Sequence, residues 1–505
     1  MIIGNNRTFD IDINNKKASF VLPSVLETSP GFPCVESILS QDWEHLEIVL
    51  VVDHEDDHAW NTPDGPATCV LCRGSFRSET IPAVLSRAAA HCSGDVIFMI
   101  SDAVELFAGF TRSYMERLFR DEATALAYGN FIECRHGSEV VRQAGTDVFD
   151  YSENSQIGPV RGIKRASFDQ VRGYDERLRY AFEYDLRLRL FDRFQGARID
   201  KPLYRVLDRD HRFRPSKEWA HFSCYTRPDT MTLRSYVNYR PDEEKEFADA
   251  CRASLKRQGS YLDNPVLPLT CAHVHTGVPS GVPSGVPRVS VVIPLWNRVE
   301  YIGRAIQSVL DGSWKEYEII VVDNGSTDGS VEVVQEYALR EPVTLYRIQE
   351  NNVATALNTG IQASTGKYVS QLDSDDMYTS DALEVLVRHM ESNPDSALGV
   401  SYYDRIGPDD EPIPDVGIVK HLEYDRNNLM RTDGIGAARI WHRCVLEDLG
   451  GFDEVNLGNY AEDYDMQLKL SEKYQVSRIP RVLYHYRMNH KKATEKIDYI
   501  TRHQK

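Results

Sequence analysis

The chain has 505 residues, of which 58 are Lys or Arg and 76 are Asp or Glu, so its formal net charge is −18. Hydrophobic residues make up 42% and charged residues 27%, which excludes a disordered chain. The length fits several globular domains of about 150 residues each. The acidic balance argues against binding to nucleic acid, which requires a surplus of Lys and Arg.

No apolar run approaches the length of about 18 residues that a membrane span requires. The N-terminal segment MIIGNNRTFD has no basic stretch followed by an apolar one, so we expect no signal peptide. Nine cysteines, an odd number in a long chain, favour free thiols in a reducing compartment. The sequence therefore predicts a cytoplasmic protein, and leaves open a peripheral association with the inner face of the membrane or with a biosynthetic complex.

The first half of the chain contains short apolar runs, such as Ile48–Val52 and Val96–Ile100, that have the length of buried strands. Further along, Glu243–Gln258 has helical periodicity, with an apolar stripe that includes Phe247. The repeated Pro and Gly of GVPSGVPSGVP (Gly277–Pro287) cannot pair into a sheet or hold a helix, so we interpret this segment as a linker.

After the linker, the pattern predicts a strand, a helix and a second strand. The run VSVVIPLWN (residues 289–297) is continuously apolar, as is typical of a strand buried on both faces. Tyr301–Leu310 has a helical period, and YEIIVVDNGS (residues 317–326) is again strand-like. Strand, helix and strand at this spacing form a βαβ unit, so we expect a mainly parallel, Rossmann-like sheet covered by helices.

Four blocks of the first half recur in the second half in the same order. The matching pairs are Cys34–Asp53 with Ala305–Asp323, Ser86–Glu105 with Asn358–Met377, Gly173–Leu190 with Gly451–Leu470, and Leu203–His211 with Leu483–His490. A repeat of this kind predicts two related α/β domains in tandem. We place them at residues 17–212 and 288–505, joined by a helical connector (213–276) and the linker (277–287).

The sharpest motif is the acidic run Asp373-Ser374-Asp375-Asp376, directly after the apolar strand Lys367–Leu372. Ligands of open α/β sheets bind beyond the carboxyl ends of the strands, which is where this run falls. Residues two apart on an extended segment point the same way, so Asp373 and Asp375 can face one site, and carboxylate oxygens suit Mg²⁺ or Mn²⁺. An acidic turn that caps the next helix is the alternative.

Asp323, in VVDNGSTDGS, lies at another carboxyl end of a strand and can accept hydrogen bonds from a base or a ribose. A tight turn with a helix cap near Asp328 is the alternative. Neither first strand is followed by G-x-G-x-x-G, and Gly360–Lys367 has one residue too many for a phosphate loop. These departures disfavour a dinucleotide oxidoreductase and a phosphate-loop nucleoside triphosphatase.

Two further candidates lie near the C-terminus. Glu462, Asp463 and Asp465 in AEDYDMQLKL precede a helical pattern, where carboxylates are also favoured simply by the helix dipole. His490 in LYHYRMNHKKAT is a candidate ligand, although a lone His is more often a surface or core residue.

Taken together, these motifs resemble the family 2 inverting glycosyltransferases of the GT-A fold. IPLWN is similar to the family's opening strand motif, with Trp296 where Tyr or Phe is usual. VVDNGSTDGS, ENNVATALNTGIQASTGKYVSQLDSDD and AEDYDMQLKL follow in the family's order and approximate spacing. The resemblance covers residues 288–495 and is nearest to the domains of bacterial tandem synthases of the hyaluronan and chondroitin type.

The resemblance implies a role for each matched residue. It implies that Asp323 contacts uracil, Asp373 the ribose or the metal, Asp375 the metal, and His490 the metal or the diphosphate. The implied nucleotide-sugar site comprises Pro294, Trp296, Asn297, Asp323, Asn352, Asp373 and Ser374. Asp463 is implied as the catalytic base, and Glu462 is its nearest competitor. The implied cofactor is Mn²⁺ or Mg²⁺, and the implied partners are a nucleotide-sugar donor, most simply a UDP-sugar, and a glycan or other hydroxyl acceptor.

The first domain departs from this pattern. Ser101 stands opposite Asp373, Ala103 opposite Asp375 and Val104 opposite Asp376, although Asp53, Glu183, Asp185 and His211 remain in the other blocks. We therefore expect the first domain to have lost metal-dependent transfer and the second to be the active one. Two alternatives stay open: a polysaccharide polymerase with two active sites, and a sugar-nucleotide- or glycan-binding protein without activity. We expect the segment Arg405–Gly436 to contribute to the acceptor side.

Overall fold

The computed structural model of the protein describes residues 13–23, 33–52, 68–74, 79–135, 138–145, 151, 157–207, 241–269, 289–349, 351–413, 418–420, 424–431, 435–459 and 461–488. Contacts divide the chain into two compact units. Unit 1 comprises Met1–Thr232 and Tyr239–Tyr261, and unit 2 comprises Leu233–Asn238 and Leu262–Lys505. The predicted linker, residues 277–287, lies outside the described residues.

The secondary structure of unit 1 alternates strands and helices. Its strands are β1 (Ala18–Pro23), β2 (Leu46–Val52), β3 (Thr68–Arg73), β4 (Val96–Ile100), β5 (Val104–Leu106), β6 (Thr124–Gly129), β7 (Phe131–Arg135), β8 (Ser138–Arg142), β9 (Val160–Lys164), β10 (Gln195–Ile199) and β11 (Tyr204–Val206). Its helices are α1 (Pro33–Leu39), α2 (Ile81–His91), α3 (Phe110–Phe119), α4 (Arg165–Gln170), α5 (Phe182–Phe191) and α6 (Pro241–Gln258).

Unit 2 repeats this alternation. Its strands are β12 (Val289–Leu295), β13 (Tyr317–Asp323), β14 (Val343–Arg347), β15 (Tyr368–Gln371), β16 (Met377–Tyr378), β17 (Ser396–Ile406), β18 (Arg439–His442) and β19 (Gln475–Arg487). Its helices are α7 (Ile302–Leu310), α8 (Ser330–Ala338), α9 (Val353–Ala363), α10 (Ala382–Ser392), α11 (Arg443–Asp448) and α12 (Glu462–Lys473). The helix and strands predicted directly after the linker are present as α7, β12 and β13.

Each unit is built on one large mixed sheet. The order in unit 1 is β10-β6-β9-β4-β1-β2-β3, with a second sheet β5-β11-β7-β8, and the order in unit 2 is β14-β13-β12-β15-β18-β17-β19-β16. Most neighbours in the large sheets are parallel, as predicted, but β9 and β18 run antiparallel to the strands on both sides. The central strands are buried on both faces, which explains their continuous apolar runs.

Equivalent strands of the two units pair in the same register. β1 and β2 align Ala18 with Leu46, and β12 and β13 align Val289 with Tyr317. At the opposite end of the sheet from the acidic motif, Ser19 donates a hydrogen bond to Glu47, and Ser290 donates one to Glu318 at 2.6 Å. The sequence repeat therefore corresponds to a structural repeat within the described residues.

Helix α6, which the sequence assigned to a connector, packs into unit 1. Phe247 and Leu255 of this helix lie in one apolar cluster with Tyr184 and Leu188 of α5. Glu246 of α6 also accepts hydrogen bonds from the backbone that precedes α5. The helix is thus part of the core of the first compact unit.

Cysteines were expected to be free thiols, and Cys444 departs from that expectation because it is disulfide-bonded. Free cysteines among the described residues are Cys34, Cys69, Cys72, Cys92, Cys134 and Cys251. Within the described part of the chain, no helix is both long and apolar enough to cross a bilayer.

Candidate functional site

The candidate site of unit 2 lies where three parallel strands end. β12, β13 and β15 are neighbours in the sheet and run in the same direction, so their carboxyl ends share one edge. Trp296 follows β12, Asp323 ends β13, and the acidic run Asp373–Asp376 follows β15. The topology therefore brings together the three segments that the sequence singled out.

Asn297 holds two of these segments together. Its side-chain oxygen accepts a hydrogen bond from the backbone N–H of Thr327 at 2.8 Å, and its own N–H donates to Ser326 Oγ at 3.0 Å. The residue has a φ of 49°, a left-handed conformation that Asn tolerates better than most residues. Next to it, Trp296 is 43% exposed, so its ring is open to a ligand, and Pro294 is half-buried.

Asp323 is fully buried at the end of β13. Its Oδ1 accepts a hydrogen bond from the N–H of Ser326 at 3.0 Å, and its Oδ2 lies 3.3 Å from Nε of Arg347. The carboxylate that was expected to contact the base thus also shapes the turn after β13. Leu46 of β2 and Tyr317 of β13 occupy equivalent positions in the two units, because each pairs with the first residue of its neighbouring strand. The residue equivalent to Asp323 in the first unit is therefore Val52, and Asp53 lies outside the described residues.

The acidic run divides into residues with different surroundings. Asp376 is fully buried and accepts hydrogen bonds from Tyr484 Oη and from the N–H of Arg487, both at 2.8 Å. It therefore anchors the turn to β19. Asp375 is 4% exposed, and the half-buried Asp373 accepts from Gln371 Nε2 at 3.2 Å. Ser374, between them, is 7% exposed.

Two arginines that the sequence did not single out contact this run. Arg298, directly after the opening motif, places Nε 3.3 Å from Oδ2 of Asp375. Arg487 is fully buried, and its Nε donates to the backbone oxygen of Asp375 at 2.7 Å, while its other nitrogens bind Gly407 and Asp410. Arg487 thus ties the acidic run to the turn that follows β17. No sequence pattern pointed to either arginine, because the contacts join distant segments.

The residues present fit a divalent cation in part. Asp373 and Asp375 offer hard carboxylate oxygens, and the buried Asp375 already attracts a positive group. Within the described ranges, no group of three or more His, Cys, Asp or Glu side chains could hold a metal ion. His490, the predicted further ligand, lies outside the described residues.

The second carboxylate pair stands at the start of α12. Arg439 of β18 donates from Nη2 to Oδ2 of Asp463 at 3.2 Å, and Asp463 keeps about a third of its side chain exposed. Burial, and next the charge of Asp463, raise the pKa of Glu462 to about 7, with a smaller contribution from Asp373. Glu462 therefore lies within electrostatic range of the acidic run. Asp465 instead pairs with Lys469 at 2.6 Å on the same helix.

The first unit has an equivalent arginine–carboxylate pair, but there the pair is buried. β9 pairs Arg161 with Met99 of β4, and β18 pairs Arg439 with Gln371 of β15, so the two arginines are equivalent. Arg161 contacts Glu183 at 3.0 Å, with the side chains only 1% and 6% exposed. Tyr174 Oη also donates to this carboxylate, at 2.8 Å. Arg161 and Arg439 lie outside the four matched blocks, but each is followed four residues later by another arginine, Arg165 or Arg443, and this shared spacing could have identified Arg439.

In the first unit, the described residues opposite Asp373, Asp375 and Asp376 are Ser101, Ala103 and Val104, none of which carries a carboxylate. Ser101 and Asp102 are fully buried, and Ser101 Oγ donates to the backbone oxygen of Pro159 at 3.1 Å. Asp185 pairs with Arg189 on α5, at 2.6 Å. Ser101 and Asp185 thus make contacts within unit 1. His211 lies outside the described residues.

Asn352, predicted to contact the donor, is engaged in structural contacts. Its side-chain oxygen caps α9 by accepting from the N–H of Thr355 at 3.1 Å, and its amide nitrogen donates to the backbone oxygen of Glu454 at 2.9 Å. Asn324, beside Asp323, accepts from the N–H of Asn352 at 2.8 Å. A chain of asparagines thus joins the turn after β13 to the loop that precedes α12.

Comparison with known proteins assigns this segment to a family. Residues 290–448 match the model of the glycosyl transferase family 2. This region is a family 2 glycosyltransferase domain, and the class predicted from the motifs, a transferase, is confirmed for it.

The chain resembles further proteins over larger or smaller parts of its length. A protein of Rickettsia felis named "Uncharacterized glycosyltransferase" is 27% identical over 386 residues, or 71% of this chain and 61% of that protein. The chondroitin synthase of Pasteurella multocida is 28% identical over 236 residues, 46% of this chain and 23% of the synthase. A crystal structure of S. aureus TarS 1–349 in complex with UDP-GlcNAc has 19% identity, covers 40% of this chain and 59% of that one, and gives a TM-score of 0.35. The chain spans less than two thirds of the length of the curated relatives it matches.

Proposed function

We propose that the chain is a metal-dependent inverting glycosyltransferase of the GT-A fold, with one active site, in unit 2. The donor is a nucleotide-diphosphate sugar, most simply a UDP-sugar, and the acceptor is a hydroxyl group of a glycan or another molecule. The observation that carries the proposal is the convergence of carboxylates. The buried Asp375 follows β15 at the same edge of the sheet as Asp323, and the charge of Asp373 contributes to the raised pKa of Glu462 at the start of α12.

Different residues of unit 2 would bind the nucleotide and the metal. The turns held by Asn297 and Asp323 would form the binding surface for the nucleotide, and the exposed Trp296, next to Asn297, would offer a ring for stacking. Asp375 and Asp373 supply oxygen ligands for Mn²⁺ or Mg²⁺, which when bound stabilises the departing diphosphate as a Lewis acid. Because Asp373 and Asp375 are assigned to the metal, the general base must be a different carboxylate.

Asp463 is our candidate for that base. A general base needs a free carboxylate oxygen near the acceptor hydroxyl. Arg439 contacts Oδ2 of Asp463 and fixes its orientation, and the side chain stays partly exposed. Glu462, more deeply buried and with a pKa of about 7, is the competitor. The segment from Arg405 to Gly436 is proposed to line the acceptor side.

A polymerase with two active sites is the second candidate, favoured by the similarity to a protein named chondroitin synthase. The first unit counts against it, because Glu183, the equivalent of Asp463, is enclosed with Arg161. A binding protein without activity is the third candidate. It is disfavoured by the partly exposed Asp463, whose neighbour Glu462 lies within electrostatic range of Asp373.

The test is a donor screen with the full chain. UDP-sugars are incubated with Mn²⁺, and released UDP is measured with and without glycan acceptors. We expect release with at least one donor, complete loss in EDTA, and recovery when Mn²⁺ or Mg²⁺ is added back. Asp375→Ala should lose both turnover and the metal-enhanced affinity for UDP. Full activity in chelator would contradict the metal assignment, and UDP binding without any transfer would favour the binding protein.

A further inference from the structure

Arg298 brings a cationic side chain to Asp375 in the acidic run. Its Nε lies 3.3 Å from Oδ2 of a carboxylate that is only 4% exposed, while the arginine side chain itself is 29% exposed. Its Nη1 donates to the backbone oxygen of Asn297 at 3.1 Å. Its backbone is fixed as well, because its N–H donates to Ser330 Oγ at 2.8 Å.

This placement has an electrostatic consequence. A carboxylate as buried as Asp375 needs a positive partner, because burying an unpaired charge is costly. A divalent cation bound to Asp375 would compete with the guanidinium for the negative charge of the carboxylate and would repel the guanidinium. Binding of the cation to Asp375 should therefore weaken the contact of Asp375 with Arg298, and the reverse.

We propose that Arg298 is the resident counter-ion of Asp375, which a divalent cation must displace, and that the displaced guanidinium then binds the diphosphate of the donor. The inference rests on the proposed function. The diphosphate is its target because the backbone of Arg298 is fixed next to the proposed metal site, where the diphosphate of the donor would be held. Arginine also matches phosphate oxygens with paired donors.

The test measures binding of Mn²⁺ alone to the full chain, by electron paramagnetic resonance or calorimetry. Arg298→Gln removes the competing charge, so Mn²⁺ should bind about threefold to thirtyfold more tightly. UDP, titrated at saturating Mn²⁺, should bind about tenfold or more weakly, because a charged contact to phosphate is lost. Arg298→Lys keeps the charge, and its Mn²⁺ affinity should stay within about threefold of the unmodified protein.

Arg347→Gln is the matched control. It removes the same charge from an arginine–aspartate contact of the same length, 3.3 Å, but at Asp323. Its effect on Mn²⁺ affinity should be much smaller than that of Arg298→Gln. Thermal unfolding of every variant, compared with the unmodified chain, separates loss of binding from loss of folding.

The outcomes distinguish this inference from the proposed function. If the unmodified chain binds no Mn²⁺ with or without UDP, the metal dependence fails, and the inference fails with it. If Mn²⁺ binds through Asp375 but Arg298→Gln does not tighten it, the inference alone is overturned. Weakened UDP binding with unchanged Mn²⁺ affinity would also overturn it, since Arg298 would then be a phosphate contact without competing for Asp375.

Discussion

Glu462 and Asp463 are neighbours in the chain but have different surroundings. Asp463 is oriented by Arg439 and partly exposed, whereas burial raises the pKa of Glu462 to about 7. The sequence could name both as candidates but could not separate them, because burial and the arginine on β18 are set by the tertiary structure.

Asp463→Asn tests the base directly. The amide keeps the shape of the side chain but cannot accept a proton. Turnover should fall by about a hundredfold to ten-thousandfold, the usual worth of general-base catalysis. UDP affinity should change little, since the binding surface for the nucleotide is built from other segments. Steady-state kinetics and UDP titration check both expectations, and near-normal turnover would move the role to Glu462 or another residue.

Glu462→Gln should change how stability depends on pH. The pKa of this carboxyl is 4.5 in the unfolded chain and about 7 in the folded chain. Between these values the folded state binds the extra proton, so the free energy of unfolding falls as pH rises and stays lower above 7. Because the side chain is half-buried, we expect solvent screening to hold the loss to about 1–2 kcal/mol.

Glutamine does not ionise, so the Glu462→Gln variant does not lose this stability as the pH rises. The variant should therefore gain about 2 to 6 °C in melting temperature relative to the unmodified chain at pH 8, and nothing at pH 4. Circular dichroism melts across this range provide the measurement. A constant difference at all pH values would show that Glu462 does not titrate in this way.

At the scale of elements, the loop before α12 is fixed by contacts to α9. Asn358 of α9 donates to the backbone oxygen of Phe452 at 3.0 Å and accepts from the N–H of Phe452 at 2.9 Å. Gly451 has a φ of +75°, and a Cβ there would lie 2.5 Å from Oδ1 of Asn358. Only glycine fits this close approach. The loop thereby sets where α12 begins, and with it the position of Asp463.

Asn352→Ala separates a structural role from a donor contact. Loss of the helix cap and of the bond to Glu454 should lower the free energy of unfolding by about 1–2 kcal/mol. If the cap is its role, UDP affinity stays within about twofold, because no donor contact is removed. Urea unfolding and UDP titration give the two readings. Normal stability with lost UDP affinity would instead support the donor contact expected from the sequence.

At the scale of the molecule, the two units share their strand register but differ at the site. Glu183 is the equivalent of Asp463, and burial raises its pKa against the opposing influence of Arg161. It is enclosed with Arg161 and Tyr174, and its side chain is only 6% exposed. This supports a single active site.

Glu183→Gln and Asp463→Asn, made separately in the full chain, form a matched pair. Glu183→Gln should lower stability, because it weakens a buried ion pair, but turnover per folded molecule should stay within about twofold. Asp463→Asn should lower turnover by about a hundredfold to ten-thousandfold. Transfer assays normalised to the folded fraction provide the comparison. A large loss of transfer in a correctly folded Glu183→Gln variant would revive the polymerase with two sites.

The sequence by itself determined the alternation of strands and helices, the repeat and the edge of the sheet at which Asp323 and Asp373 lie. These features are local or periodic, so apolar runs and repeated motifs reveal them. Only the tertiary structure decided what each polar residue does there. Asp376 resembles a ligand in sequence but is an anchor for Tyr484 and Arg487, and Arg298 reaches Asp375 from a distant segment. These roles depend on burial and on contacts between remote segments, and neither can be inferred from the local pattern of residues.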